Sequence, residues 1–412
     1  LDRIKSKHKL WNKFSRTGNQ EVYRKYCKER NYVRNMTRNA QSGLEKSIAD
    51  QAKTNPKLFW WYSQRKTKVK SGISDLEMTD PITNQTRKTR TDKEKADTLV
   101  KFFSSVLVKE ADDEIPTIKN KVLDQEMQEL VITEAMVMKK LKCLKISKSP
   151  GPDGVHPRVI KELREILCKP LTIIFNQSLS EGKLPSQWKD AHISPIFKKG
   201  KKTLPSNYRP VSLTSIVCKL MESVVRDHIM NHLQLNKLFS EKQYGFISGR
   251  STVYQLLQVL DKWTQLLEDH KDIDVIYMDF QKAFDKVPHK RAVSKIKSYG
   301  VKGSVINWIA DFLSNRRHKV IVNGEESEWE EVTSGVPQGS VLGPLLFVIY
   351  INDLPESIKS DLFLFADDTK IFRAIIDDES KRQLQEDLKE TMKWSDTWLL
   401  CFNLAKCKAM RI

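Results

Sequence analysis

Hydrophobic residues recur along this chain with two different periods, and the changes of period mark its organisation. Over residues 1–70, rings (Trp11, Phe14, Tyr23, Tyr26, Tyr32) are set among Lys and Arg and end in Phe59-Trp60-Trp61-Tyr62. That texture reads either as solvated helices carrying an aromatic anchor or as a nucleic-acid contact, cations on phosphates and rings free to stack. Residues 71–90 lack periodicity and read as linker. A capping box, Thr91-Asp92-Lys93-Glu94, predicts an amphipathic helix through Leu107. Thr133 starts another, which ends at the loop Ser149-Pro150-Gly151-Pro152-Asp153-Gly154, and helical spacing returns from Pro157 to about Ser180.

From Ala191 the period shortens. Strands at Ile193–Phe197 and around Val211–Leu213 flank a basic turn, Lys198 to Lys202. Helices are expected at about 214–233 and 251–269, then a strand from Ile273 to Asp279. Helices at 289–298 and 304–314 lead to a hairpin near 318–333, a loop from Ser334 to Ser340 and a helix to about 356. Apolar runs on either side of Asp367-Asp368 read as strand, tight turn and strand, and an amphipathic helix at about 379–398 precedes the closing segment to Ile412. Helices and antiparallel strands without regular βαβ alternation predict an α+β fold.

Charge adds one feature to this picture. The chain carries 71 Lys and Arg against 52 Asp and Glu, a net +19, which favours a polyanionic partner. Residues 1–70 hold 19 basic and five acidic side chains, so the first sixth is an electrostatic arm. The longest apolar run, Val341 to Ile351, is eleven residues with Gly343 and Pro344 inside it, against the roughly 20 a bilayer span needs. Six cysteines without a C-x-x-C pair argue against zinc and read as reduced, mostly buried thiols of an intracellular protein. The opening Leu-Asp-Arg lacks an initiator Met and a signal pattern, as in a fragment of a longer protein.

The candidate chemistry lies in carboxylates. Asp112-Asp113 and Asp377-Asp378 sit in polar stretches and read as solvated, whereas Asp367-Asp368 interrupts two apolar strands. Adjacent carboxylates at such a lip repel and lose hydration unless a cation neutralises them. Asp279 ends an apolar strand in the same way. Neighbouring strands would bring Asp279 and Asp367 onto metal ions, with Mg²⁺ favoured by oxygen-only ligands. Strand alternation puts Asp367 on the Phe363/Phe365 face, as main ligand, and Asp368 on the other, as auxiliary, unless the turn rotates it. On these residues alone, a pair of structural turn aspartates is the alternative.

Three segments, Tyr277-Met278-Asp279-Phe280-Gln281-Lys282-Ala283-Phe284-Asp285, Ser334-Gly335-Val336-Pro337-Gln338-Gly339-Ser340 and Phe365-Ala366-Asp367-Asp368, resemble successive palm motifs of a reverse transcriptase. The resemblance is to the jockey-like non-LTR retrotransposons (long interspersed elements). Upstream, Ser149 to Gly154, Pro195-Ile196-Phe197-Lys198-Lys199-Gly200, Asn207-Tyr208-Arg209-Pro210-Val211-Ser212-Leu213 and Tyr244-Gly245-Phe246 match in the same order. It implies a right-hand polymerase with fingers and an antiparallel palm sheet over 191–412, truncated before the thumb. A helical N-terminal part of that region at 91–190 and a basic helical connector and linker at 1–90 complete the division.

The implied activity is RNA-directed DNA synthesis, with dNTPs added to a DNA primer on template RNA and two Mg²⁺ ions as cofactors. Asp279 and Asp367 match the metal-binding aspartates, with Asp368 beside them and the Phe280 carbonyl as a further ligand. Phe284 matches the bulky side chain that crowds the sugar 2′ position, and Gln338 the glutamine beside the incoming nucleotide. Lys198 and Arg209 match the cations that grip the triphosphate, the choice among Lys198, Lys199, Lys201 and Lys202 being open. Arg250 would face template backbone, and Lys406 would protonate leaving pyrophosphate. The family further implies an endonuclease domain upstream, no membrane, and a nuclear and cytoplasmic ribonucleoprotein setting. A relic that binds nucleic acid without polymerising is the alternative. A maturase-like splicing partner would need a following basic helical domain. His228 and His232, four apart on a helix, read as a surface pair with no metal role.

Overall fold

The computed structural model describes residues 2–67, 72–79, 86–110 and 115–412. It comprises two compact units, Leu1–Ser71 and Gly72–Ile412. The first is helical: α1 (Asp2–Thr17), α2 (Gln20–Asp50) and α3 (Pro56–Thr67). Asn19 stops the chain between α1 and α2, its side-chain oxygen accepting the Glu21 and Val22 N–H groups. The aromatic residues then hold the two helices antiparallel, Trp11 against Tyr26 (4.9 Å between centroids) and Phe14 against Tyr23 (4.7 Å). Among the unit's described residues only Ile48 is fully buried, and Phe59 and Trp60 are exposed. The side chain of Trp61 lies outside the described residues.

The second unit opens with β1 (Glu77–Thr79) and β2 (Thr86–Lys88), an antiparallel pair where a linker was expected. Three-residue strands are too short to display a period of two, and the preceding Leu76 is fully buried. Thr91 caps α4 (Asp92–Ser105) by accepting the Glu94 N–H, while Glu94 reaches back to the Arg90 N–H. Next come α5 (Glu134–Lys142), α6 (Pro157–Glu162) and α7 (Arg164–Glu181), so the single periodic run expected from Pro157 breaks at Leu163. The remaining elements are β3 (Asp190–Phe197), β4 (Tyr208–Leu213), α8 (Ile216–Leu235), α9 (Thr252–Glu268), β5 (Asp272–Asp279), α10 (Ala283–Lys286), α11 (His289–Ser298), α12 (Gly303–Leu313), β6 (Arg316–Val322), β7 (Glu325–Glu326), β8 (Glu330–Val332), α13 (Gly343–Ile351), β9 (Asp361–Phe365), β10 (Asp368–Ile375), α14 (Asp378–Thr397) and β11 (Lys408–Arg411).

Two sheets position the site. One is antiparallel throughout, in the order β11-β5-β10-β9. The other runs β4-β3-β6-β7 with β8 also on β6, and its β3–β6 pair is parallel. A parallel pair needs a long crossover, and the intervening chain between Phe197 and Arg316 provides one. The apolar run Val341–Ile351 ends in a core helix, α13, in which every residue but Pro344 is buried. Fully buried Glu222 of α8 receives the Val341 and Leu342 N–H groups just before it (2.6 and 3.0 Å), satisfying donors that a helix start leaves open. The α-helix stops at Ile351, short of the expected 356, and a 3₁₀ turn covers Leu354–Ser357.

Three smaller expectations change. His232 is buried and bonds the Tyr299 carbonyl (2.9 Å), because α8 packs against the α11–α12 junction on that side; His228 contacts the Gln128 carbonyl. Asp377 is the N-cap of α14 rather than merely solvated, whereas Asp112-Asp113 lies outside the described residues. Of the six free cysteines, only Cys168 and Cys218 are buried, since the others fall in loops, the closing segment or the thin helical unit. Among the described residues no helix is long and apolar enough to cross a membrane.

Candidate active site

Asp279 is the last residue of β5 and Asp368 the first of β10, and the register places them directly opposite one another. Opposed residues of an antiparallel pair have Cα atoms about 4.5–5.5 Å apart. Phe365, ending β9, is also a partner of Asp368, so the hairpin loop consists of Ala366 and Asp367 alone. This corrects the facing expected from alternation. Asp368 shares its face with Phe365 and Asp279, because Ala366, at φ +54°, breaks the strand repeat before Asp367.

Three carboxylates therefore gather at one end of the β5–β10–β9 ladder. Burial raises the carboxyl pKa of Asp367 above the usual range, and the charges of Asp368 and Asp279 raise it further. Asp368 is raised by burial and then by Asp279, against lowering by Lys198 and Lys406. Asp279 pairs with the Lys406 ammonium, and its carbonyl accepts the Asn403 N–H (2.7 Å). Among the described residues no three His, Cys, Asp or Glu side chains form a ready metal cage.

A cleft of about 790 Å³ opens in front of these acids. Asp279, Asp367, Phe280, Phe284, Gln338, Lys198, Arg209 and Lys406 all line it. Of the four basic-turn lysines, Lys198 and Lys199 reach the wall, while Lys202 lies over the Phe197 ring. Arg209 sits opposite Ile196 across the β3–β4 ladder, and the Lys198 N–H bonds the Asn207 carbonyl (2.9 Å). Burial, then the charges of Arg209 and Lys406, lower the Lys198 pKa. Phe280 turns its ring into the core against Phe402 (4.2 Å, nearly parallel). Phe284 stacks on Phe347 (4.5 Å) and meets Phe246 edge-on (6.2 Å).

Sequence reasoning missed Phe102, Lys282 and Asp285, which also line the cleft. Phe102 arrives from α4, and the Lys282 ammonium stands over its ring (5.4 Å). Asp285 accepts the Gln338 side-chain amide (2.7 Å), and the Gln338 carbonyl accepts the Ser212 N–H (2.7 Å). Gln338 is thereby held from two sides. Gly339, at φ +119°, lies where a Cβ would strike the Ser212 carbonyl at 2.6 Å, so this loop approaches β4 only through glycine. Arg250, expected on template backbone, donates through Nη1 to the carbonyls of Ser240 and Gln243 (both 2.5 Å), bracing its own loop.

Carboxylates at the open end of an antiparallel sheet, faced by a basic cleft, set oxygen ligands for a hard cation beside side chains suited to phosphate. Residues 196–411 match the family model described as reverse transcriptase (RNA-dependent DNA polymerase), and the chain belongs to that family. It is related to the non-LTR retrotransposon enzymes anticipated from the motifs. It is 33% identical over 286 residues to the probable RNA-directed DNA polymerase from transposon BS of Drosophila melanogaster, covering 66% of this chain and 31% of that protein. To the RNA-directed DNA polymerase from mobile element jockey of the same fly it is 31% identical over 276 residues, covering 64% and 30%. To the probable RNA-directed DNA polymerase from transposon X-element the figures are 30% over 267 residues, 63% and 29%. The chain thus spans about 30% of the length of these relatives.

Proposed function

We propose that this chain carries the fingers and palm of an RNA-directed DNA polymerase. The antiparallel sheet serves as palm, the β3–β4 segment belongs to the fingers, and residues 1–90 form a basic connector. One observation carries the reading: the β5–β10 register sets Asp279 opposite Asp368, with Asp367 in the adjoining turn at the edge of a basic cleft. The donor set fits Mg²⁺, being all oxygen and partly desolvated. A three-carboxylate site without an all-protein cage suits an ion that keeps waters and substrate phosphates in its shell. Asp279, Asp367 and the Phe280 carbonyl would hold the two ions, with Asp368 adding charge. Bound there, they supply Lewis-acid stabilisation of the transferring phosphoryl group.

The chain's own groups do the rest. Lys198 and Arg209 hold the triphosphate, the fixed guanidinium fork of Arg209 matching phosphate oxygens. Gln338, fixed by Asp285 and Ser212, lies beside the base and sugar of the incoming nucleotide. The Phe284 ring excludes a ribose 2′-OH. Lys406, an ammonium within reach of Asp279, gives a proton to the departing pyrophosphate. Template RNA and DNA primer are the partners, the arm of residues 1–70 contributing phosphate contacts. The test is primer extension on an RNA template, with Asp279→Ala and Asp367→Ala as separate variants. Each should reduce incorporation to background; synthesis that survives either change refutes the reading, and RNA binding without synthesis in the unaltered chain would favour the relic.

A further inference from the structure

The turn that carries Asp367 is not held by its own sequence. Ala366 occupies the left-handed region at φ +54°, which a Cβ disfavours and which glycine or asparagine ordinarily fills. The turn is held instead from a loop more than a hundred residues earlier. Gln243 has no exposed surface. Its Oε1 accepts the N–H groups of Ala366 (2.9 Å) and Gly245 (2.7 Å), and its Nε2 donates to the Ala366 carbonyl (3.4 Å). Two N–H donors converging on one oxygen fix the amide's orientation, since a flipped amide would set its own N–H groups against them.

The surroundings leave that amide little freedom. The Leu364 N–H bonds the Lys242 carbonyl and the Tyr244 N–H bonds the Leu364 carbonyl, both at 2.8 Å, stitching 242–244 alongside β9. A Cβ on Gly245 would fall 2.4 Å from the Ala366 nitrogen, so the two backbones approach more closely than any other residue allows. Arg250 in turn ties down the Ser240 and Gln243 carbonyls. All the side-chain bonds of Gln243 go to backbone groups of this turn and of its own loop, and two of the three reach Ala366.

We propose that Gln243 is a positioning residue for Asp367. Its amide keeps Ala366 left-handed and so sets where the Asp367 carboxylate stands relative to Asp279. The inference rests on the reading of those aspartates as divalent-cation ligands. Gln243 itself touches neither ion nor substrate and acts only through the turn.

Mn²⁺ binding to the 412-residue chain, followed by electron paramagnetic resonance with thermal melting of the same samples, tests it. The site is defined as the Mn²⁺ signal that Asp367→Asn removes. Gln243→Met keeps the bulk and loses both kinds of bond, and binding should weaken about tenfold or more, as for other residues that orient a ligand. Adding Ala366→Gly should restore affinity to within about threefold, because glycine takes positive φ without a clamp. A folded Gln243→Met chain with unchanged Mn²⁺ affinity overturns the proposal. So does a loss that Ala366→Gly fails to repair, since the amide would then serve the region's folding rather than this residue's conformation. Should Gln243→Met alone not fold, the double variant decides: near-native affinity supports the proposal, and weak binding or no fold overturns it. If the unaltered chain shows no Mn²⁺ signal that Asp367→Asn removes, the metal reading itself falls, and the clamp with it.

Discussion

Asp285→Asn separates the function of the cleft from the stability of the chain. The Asp285 carboxylate accepts the Gln338 amide at 2.7 Å. Burial raises its pKa, opposed by the Gln338 bond and by the charges of Lys282 and Arg209. A hydrogen bond to a charged group is worth roughly 1.5–3 kcal/mol net and a neutral one roughly 0.5–1.5. Exchanging carboxylate for carboxamide of the same shape should therefore loosen Gln338 by about 1–1.5 kcal/mol, or about five- to thirteenfold in kcat/KM for the incoming dNTP. Stability should move the other way. A carboxyl whose folded pKa is raised contributes stability below its unfolded pKa and loses it as pH rises through the folded value. At neutral pH the charged Asp285 is a burden, and Asn removes it. Steady-state primer extension with a dNTP titration, beside calorimetric melting at neutral pH, gives both numbers. An unchanged kcat/KM would mean that Gln338 needs no anchor. A lower Tm would mean that the acid serves the fold, and either result refutes the reasoning.

Three further outcomes are expected. Asp367→Asn should raise the Tm of the chain in chelator at neutral pH, with the gain shrinking as pH falls through the carboxylate range, because burial and two neighbouring acids raise the Asp367 pKa; a calorimetric pH series checks the sign. Phe284→Val removes the ring stacked on Phe347, and ribonucleotide incorporation relative to dNTP should rise about tenfold or more, a differential barrier of only ~1.4 kcal/mol. Unchanged sugar selectivity in an active variant would make Phe284 a core residue. Deleting residues 1–70 should flatten the dependence of log K on log salt in RNA titrations, each lost phosphate contact removing roughly 0.7–0.9 from the slope.

Much of the candidate site could be read in the sequence because its carboxylates look wrong for their surroundings. Asp279 ends a strand whose Ile273 and Val275 are wholly buried, and Asp367-Asp368 splits two more apolar runs. Such interruptions stand out in one dimension. Asp285 does not stand out: at the end of Gln281-Lys282-Ala283-Phe284-Asp285 it looks like any acid of a short helix, and its role depends on a glutamine 53 residues later. Phe102 is equally silent, one of two adjacent rings on an ordinary amphipathic helix. The parallel β3–β6 pair was invisible because each strand looks the same whichever way its neighbour runs.

The strain in the chain explains why the supporting residues were harder to read than the acids. Ala366, Lys282 and Phe246 all have positive φ without being glycine, at +54°, +53° and +59°. Ala366 adjoins Asp367, Lys282 lines the cleft, and Phe246 lies edge-on to Phe284. A turn-propensity rule expects Gly or Asn at such positions, so it misses the bends at Lys282 and Phe246, and the turn after Phe365 was legible only from the carboxylates that interrupt two apolar runs. Held conformations of this kind persist only where the surroundings over-determine them. Around Ala366 the surroundings are Gln243 and the close approach of Gly245. A sequence pattern therefore reveals the charged groups directly, while the strain that aims them is visible only once segments distant along the chain are seen in contact.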